Sequence, residues 1–456
     1  MSPAAQALLT FLQTWWVEIA CGVIIVAVVP LIAGYVVLVE RKLMADMQAR
    51  LGPMRVGPHG LLQPIADAVK LLIKEDIIPD KADKVIFWLA PVISMTAALT
   101  AMGAIAFGPW FQVARDINVG LLFVLGVSSL GFLGILLGGW ASNSHYSLIG
   151  ALRATAQLVS YETAGGLAIV SGLLLAGTLK IRAIVDAQQH FGVWFGFLTP
   201  VAFFTYLVAS IAETNRAPFD LPEAESELVA GYMTEYSGFR WALYFLGEYA
   251  NMIVVGSVAT TLFLGGWLRP FPNAHWLTLP HLPWLNVLDL IPPLLVALVG
   301  GYSVYRAPKQ PVRVQRQFMW AVALACFAVA AILAVPLRPG TLHAAMPGLH
   351  GAFWFLLKVG GYIYVFMWLR FTLPRYRFDQ LMRLGWYILI PLSIVNVFGV
   401  GVAMILESEY GWNRWVALII TTLVTLAVAL FLVRVNDRRV EAASSAPAAT
   451  TGSYVG

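Results

Sequence analysis

The 456 residues are 59% hydrophobic and 12% charged, with a mean hydropathy of +0.77, whereas soluble domains are roughly 45–50% apolar and 25% charged. That balance excludes a soluble globular enzyme and predicts an all-α polytopic integral membrane protein. The formal charge of +5 sits in the loops between apolar stretches, where it reports orientation.

A hydrocarbon core about 30 Å thick needs roughly 20 apolar residues per helix. Eleven stretches qualify in chain order: 17–39, 85–107, 119–139, 155–178, 193–212, 241–264, 285–305, 318–337, 351–369, 386–406 and 412–434. The first has no basic start and no obvious small-residue cleavage site, and it flows into Glu40-Arg41-Lys42. It is expected to stay as a membrane helix rather than be removed as a signal peptide.

The segment 40–84 is too long for a turn. From Leu61, apolar residues recur every three or four positions through Ile73, with Asp67, Lys70 and Lys74 facing elsewhere. This periodicity predicts an amphipathic helix along the membrane surface, with Pro64 tolerated in its first turn. Gly52-Pro53 and Gly57-Pro58 enforce a turning approach to it. The segment reads either as a passive interfacial anchor or, through Arg41, Lys42, Arg50 and Arg55, as a surface that holds a polar headgroup or an acidic partner.

Further along, Glu162, Glu248 and Lys358 fall within predicted spans, where an unpaired charge costs at least ~2.5–3.5 kcal/mol. Glu162 and Glu248 lie at similar depths and are expected either to continue a carboxylate path or to pair structurally with Lys358. Between them, residues 213–235 carry six carboxylates, Glu213, Asp220, Glu223, Glu225, Glu227 and Glu235, against the single base Arg216. Crowded carboxylates repel, so some hold protons near neutrality. Pro218 and Pro222 interrupt regular structure there, and on a helix Glu223 and Glu227 would share a face that Glu225 leaves.

Cys21 and Cys326 fall inside apolar helices and cannot make a disulfide framework or an iron–sulfur site, which needs about four thiolates. The seven histidines show no metal-ligand spacing, and no glycine-rich nucleotide fingerprint appears. Any electrons must therefore arrive from a partner. Segments 40–84, 140–154, 213–240, 306–317, 370–385 and the tail from 434 hold 8, 1, 2, 4, 4 and 3 Lys and Arg, while the alternate loops hold six. The excess places the N-terminus outside and the C-terminus in the cytoplasm.

The string ETNRAPFDLPEAESELVAGYMTEYSG at 213–238 resembles the H subunit of NADH-quinone oxidoreductase, a membrane component of respiratory complex I. Residues 40–79, GWASNSHYSLIGALRATAQLVSYE at 139–162 and WFLLKVGGYIYVFMWLRFTLPRYRFDQLMRLGWYILIP at 354–391 agree with it. The resemblance implies a bacterial inner-membrane protein with eight core spans that shares a quinone chamber with hydrophilic neighbours. Quinone is then the substrate, and the iron–sulfur clusters and flavin belong to partner subunits. By matching motifs, Arg41, Gln48, Arg50, Asp67 and Arg216 fall on chamber positions. Glu213, Asp220, Glu223, Glu225, Glu227, Glu248 and Glu162 fall on an acidic path toward adjacent membrane subunits, and Glu235 matches a further family carboxylate. His145 stands where Lys is often expected.

The resemblance divides the chain into a core of spans 1–6 over 1–266, an added transmembrane hairpin over 267–349, the last two core spans over 350–406, an extra span over 407–439 and a disordered tail over 440–456. It makes the chain a coupling subunit of a proton-translocating oxidoreductase, without catalysis of its own and without nucleic-acid partners. The alternatives are the related membrane subunit of a hydrogenase or another quinone- or phenazine-linked dehydrogenase and, more distantly, a free-standing ion transporter, for which no inverted repeat is evident.

Overall fold

A computed structural model describes residues 3–445 except 109–116, 221–228, 274–277, 280–281, 311 and 335–346. Helix α1 spans Pro3–Met47, and a short 3-10 turn, Pro58–Gly60, leads into α2, Gln63–Ile73. Helices α3 to α6 cover Lys84–Ala104, Gly120–Ser129, Gly131–Ala141 and His145–Ala176. Helices α7 to α9 cover Ile181–Phe191, Phe195–Leu198 and Pro200–Glu213, and α10 covers Gly238–Phe263. A small hairpin of β1, Thr278–Leu279, and β2, Leu282–Asn286, precedes α11 (Ile291–Arg306) and α12 (Arg313–Ala334). The chain then runs through α13 (Pro347–Thr372), α14 (Phe378–Arg383), α15 (Ile390–Tyr410) and α16 (Arg414–Ser445).

Among the described residues, ten helical stretches are long and apolar enough to cross a membrane. The expected span at 193–212 is not one of the ten because it is broken in two, α8 and the shorter apolar helix α9. Thr199 leaves helical geometry (φ −128°, ψ 63°) and Pro200 opens the next helix, as proline at a first turn does. The 14 residues of α9 rise about 21 Å, and the broken stretch still runs from the Phe263 end of α10, where a Cβ on Gly196 would stand 3.0 Å from the Phe263 carbonyl, to the end where Pro218 meets Tyr376. The expected span 155–178 begins earlier, at His145, which sets Glu162 near the middle of α6 rather than two turns from its start. Helix α16 continues past Val440 to Ser445, because Val440-Glu441-Ala442-Ala443 holds good helix formers rather than breakers; residues 446–456 lie outside the described set.

Helix α10 is the axis of the fold and the most buried of the long helices. It packs on α1, α3 and α13, while α6 packs on α5, α9 and α15. Tyr161, Tyr206, Phe263, Phe355 and Phe366 fill the core between them. Small residues set the closest approach: a Cβ on Gly150 of α6 would stand 2.8 Å from the Cα of Gly231, so α6 touches the 3-10 turn Gly231–Met233 backbone to backbone. In contrast, α11 and α12 pack chiefly on each other. The basic loops gather at one end. Asp76 pairs with Arg240 at 2.8 Å, the Tyr376 N–H donates to the Pro218 carbonyl at 3.2 Å, and α12 touches the Pro58–Gly60 turn.

Lys358 pairs with neither Glu162 nor Glu248. Its ammonium donates to the carbonyls of Leu264 at 2.6 Å and Gly266 at 2.9 Å and to that of Leu268, and stands 4.2 Å from the Trp194 ring. All three N–H groups are thus spent on carbonyls of the loop that leaves α10, which lie outside any helix or strand ladder. Lys358→Met should leave those carbonyls unpaired, at about 1–3 kcal/mol each where water cannot reach. The expected result is a lower thermal midpoint of the detergent-solubilised assembly, with Lys358→Arg intermediate; an unchanged midpoint for Met would show that water replaces the ammonium.

Candidate functional site: a buried charge network and two cavities

Glu40, Arg41 and Lys42 are consecutive on a helix, so each points about 100° from the last, and the three take three different partners. Glu40 turns inward and is 5% exposed. Arg370 ion-pairs with it, Arg216 approaches it at 3.5 Å, and the Tyr249 hydroxyl donates to its Oε2 at 2.6 Å. Arg216 lies in the loop after α9, 4.0 Å over the Tyr249 ring and 3.2 Å from that hydroxyl. Burial works to lower its pKa, but Tyr249, Glu40 and Glu248 together outweigh this and raise it, so the guanidinium stays charged. Its Nε and Nη2 are buried and make no hydrogen bond among the described residues.

A second site lies between α3, α4, α5, α6, α9 and α10. Glu162, Glu213 and Glu248 line one cavity of about 50 Å³, together with Ser94, Asn215 and Asn251. Adjacent serines at the end of α4 address two of the acids: Ser128 donates to Glu213 at 3.3 Å and Ser129 donates to Glu162. Tyr232 donates to Glu248 at 2.9 Å. The turn that carries Tyr232 is pinned by Tyr236, which stacks on Phe87 with ring centres 4.1 Å apart and donates to the Phe87 carbonyl; burial pushes its phenol up to about 12.

The third element is a cavity of about 140 Å³ between α1, α2 and α10. Arg41 pairs with Asp67 at 2.7 Å at its polar side, and Gln63 donates to the other Asp67 oxygen at 2.9 Å. Leu38, Leu71, Phe239, Trp241 and Phe245 form its apolar walls. Lys42 fixes the neighbouring turn by donating to the His59 carbonyl at 2.6 Å. Gly60 there has φ +77°, and a Cβ on it would fall 2.2 Å from the Pro53 carbonyl. Burial and then the Lys42 charge lower the His59 pKa, keeping it neutral. From Trp241 the rings of Phe245 and Tyr249 follow at 5.0 Å intervals along α10, so an aromatic row joins this cavity to Arg216 and Glu40.

The expected site residues therefore divide. Arg41 and Asp67 come together at the α2 cavity, and Glu162, Glu213 and Glu248 at the internal one, with Arg216 in the charge network between. Gln48 and Arg50 are exposed and bond each other at 2.7 Å, away from the lining of the α2 cavity. Asp220 and Glu235 are half-buried on the same loop, and the Asp220 carbonyl accepts from Arg375. Glu223, Glu225 and Glu227 lie outside the described residues. Sequence reading passed over Glu40, Tyr249, Arg370 and the Ser128-Ser129 pair. The signal for Glu40 was present as a carboxylate heading a basic pair at the end of an apolar run, but it reads as a helix end. Helix α1 continues seven residues further to Met47.

Ten membrane-length helices among the described residues, packed around buried acids and bases, define a polytopic helical membrane protein with an internal charge network. The NADH dehydrogenase family model matches residues 19–299 and 313–401. Over 380 residues the chain is 54% identical to an H subunit of NADH-quinone oxidoreductase from Solibacter usitatus, covering 82% of this chain and 93% of that protein. It is 52% identical over 369 residues to an H subunit from Koribacter versatilis (78% and 84% covered) and 42% identical over 376 residues to that of Rickettsia prowazekii (82% and 90% covered). The chain belongs to the family of NADH-quinone oxidoreductase H subunits and is a membrane subunit of complex I.

Proposed function

We propose that this subunit forms part of the quinone chamber and couples quinone reduction to proton translocation through its internal carboxylates. The carrying observation is the continuity of the three sites. Arg41 and Asp67 border an apolar cavity beside the amphipathic α2, and the aromatic row on α10 leads from it to Arg216 and Glu40. Glu248, whose charge acts on Arg216, opens onto the cavity shared with Glu162 and Glu213.

In this reading quinone enters from the bilayer beside α2, its headgroup meets Arg41 and Asp67, and partner subunits supply the electrons. A change of charge or proton occupancy near the chamber alters the field on Arg216 and Glu40, then on Glu248, and so the sharing of protons between Glu162 and Glu213. Glu223, Glu225 and Glu227 extend the same path by resemblance. The N-terminus is outside and the C-terminus cytoplasmic by the basic excess of the clustered loops. The hairpin α11–α12 and the span of α16 are additions to an eight-span core.

Arg41→Ala in the assembled complex tests the chamber. Losing a charge-assisted contact should raise the apparent quinone KM about tenfold while leaving electron transfer to a water-soluble acceptor unchanged. A normal KM with full assembly would reduce this region to a scaffold.

A further inference from the structure

Residues 290–378 contain no Asp or Glu, yet Arg306, Lys309, Arg313 and Arg316 fall within eleven residues at the turn that joins α11 to α12. All four are exposed, and none forms an ion pair among the described residues. Two are oriented by tyrosines. Arg306 Nε donates to the Tyr302 hydroxyl at 2.8 Å, and Lys309 Nζ stands 3.5 Å from the Tyr305 ring centre. Tyr302 and Tyr305 are themselves 55% and 61% exposed, and further along the two helices Leu298, Leu324 and Phe327 are exposed as well.

The sequence of chemistry along this hairpin is therefore cation, amphipathic ring, hydrocarbon. An acidic protein surface would satisfy the first layer only. A phospholipid satisfies all three: its phosphodiester meets the bases, its glycerol region lies at the tyrosines, and its acyl chains lie along the apolar faces. Four bases beside a membrane helix are enough to select anionic headgroups. We propose that the α11–α12 turn is a binding site for the headgroup of an anionic phospholipid. The family match leaves out 300–312, which takes in Arg306 and Lys309, and resumes at Arg313. The site also has a neighbour of consequence. Phe318, at the start of α12, stands 6.2 Å from the His59 ring, and the His59 carbonyl is the acceptor for Lys42, so a bound lipid stands against the loop that borders the α2 cavity.

The test uses the whole complex, delipidated in detergent and titrated with mixed micelles of phosphatidylglycerol or of phosphatidylcholine, with bound lipid phosphorus read after gel filtration. The variant R306Q/K309Q/R313Q/R316Q should lose phosphatidylglycerol affinity at this site, about fivefold for each base removed, with phosphatidylcholine binding unchanged. The double variant R313Q/R316Q should lose about half of that effect on a logarithmic scale and keeps two bases in the turn should the quadruple variant fail to assemble. R306K/R313K/R316K should bind like the parent, and inorganic phosphate at matched concentration should not compete. Equal phosphatidylglycerol binding by parent and Gln variants, competition by phosphate, or loss of a co-purifying protein at unchanged lipid content would each overturn the proposal. Because lipid content is the readout, the result is independent of the quinone reading.

Discussion

Replacing Glu40 with Ala is expected to destabilise the assembled subunit by about 3–5 kcal/mol, the range for removing one partner of a buried ion pair. The reason lies in the unequal exposure of the two cations it serves. The Arg370 side chain is 34% exposed and can turn toward water, but that of Arg216 is 8% exposed and has two further donors without partners among the described residues. Without Glu40, the Arg216 charge keeps Tyr249 and the more distant Glu248 among the described residues. Arg216→Met should be milder, because Glu40 retains Arg370 and the Tyr249 hydroxyl. The double variant Glu40→Leu/Arg216→Met should be more stable than Glu40→Ala alone, since it removes both charges of the pair and leaves a shape that hydrocarbon can fill. Thermal midpoints of the solubilised complex, together with the amount of subunit retained in membranes, measure this order. Strictly additive losses would mean that the pair is not energetically coupled.

What could be read in advance followed from the strength of each physical signal. Long apolar runs locate nearly every helix, because bilayer thickness is a demanding constraint that the sequence must satisfy locally. The alternation of basic loops anticipates the gathering of 40–84, 213–240, 306–317 and 370–385 at one end. Loss of legibility begins where tertiary packing overrides hydropathy. Glu40 looks like the end of a span because a charge ends an apolar window, yet its helix continues and its carboxylate is solvated by protein. Lys358 looks like a counter-ion for a glutamate, but the unpaired carbonyls after Phe263 are nearer and need a donor. The break at Thr199-Pro200 was signalled by the proline and hidden by the hydrophobicity around it. In the acidic loop, composition announced a function but could not say that Glu213 turns into a cavity with Glu162, since that depends on Ser128 and Ser129 arriving from a helix about 85 residues earlier.

Glu162→Gln and Glu213→Gln should each lower quinone-coupled turnover and proton translocation by at least about tenfold, and the double variant should be no worse than the more damaging single. Groups that act as a unit show this saturation. Both carboxylates line one cavity, and each is held by its own serine, so neither is positioned through the other. Two carboxylates lining one small cavity act on each other through their charges, so each is coupled to the state of the other. Gln at either place removes one charge of the pair and ends that coupling, after which the second replacement has little left to remove. Ser128→Ala and Ser129→Ala provide the control for orientation: each should lower turnover less than the Gln variant of its own acid and leave translocation per electron intact. Turnover measured with NADH and a short-chain quinone, and translocation measured in sealed vesicles, give the two readouts. Independent losses that multiply in the double variant would separate the two acids into unrelated roles. A loss of translocation with turnover preserved would place the pair beyond the step that quinone reduction controls.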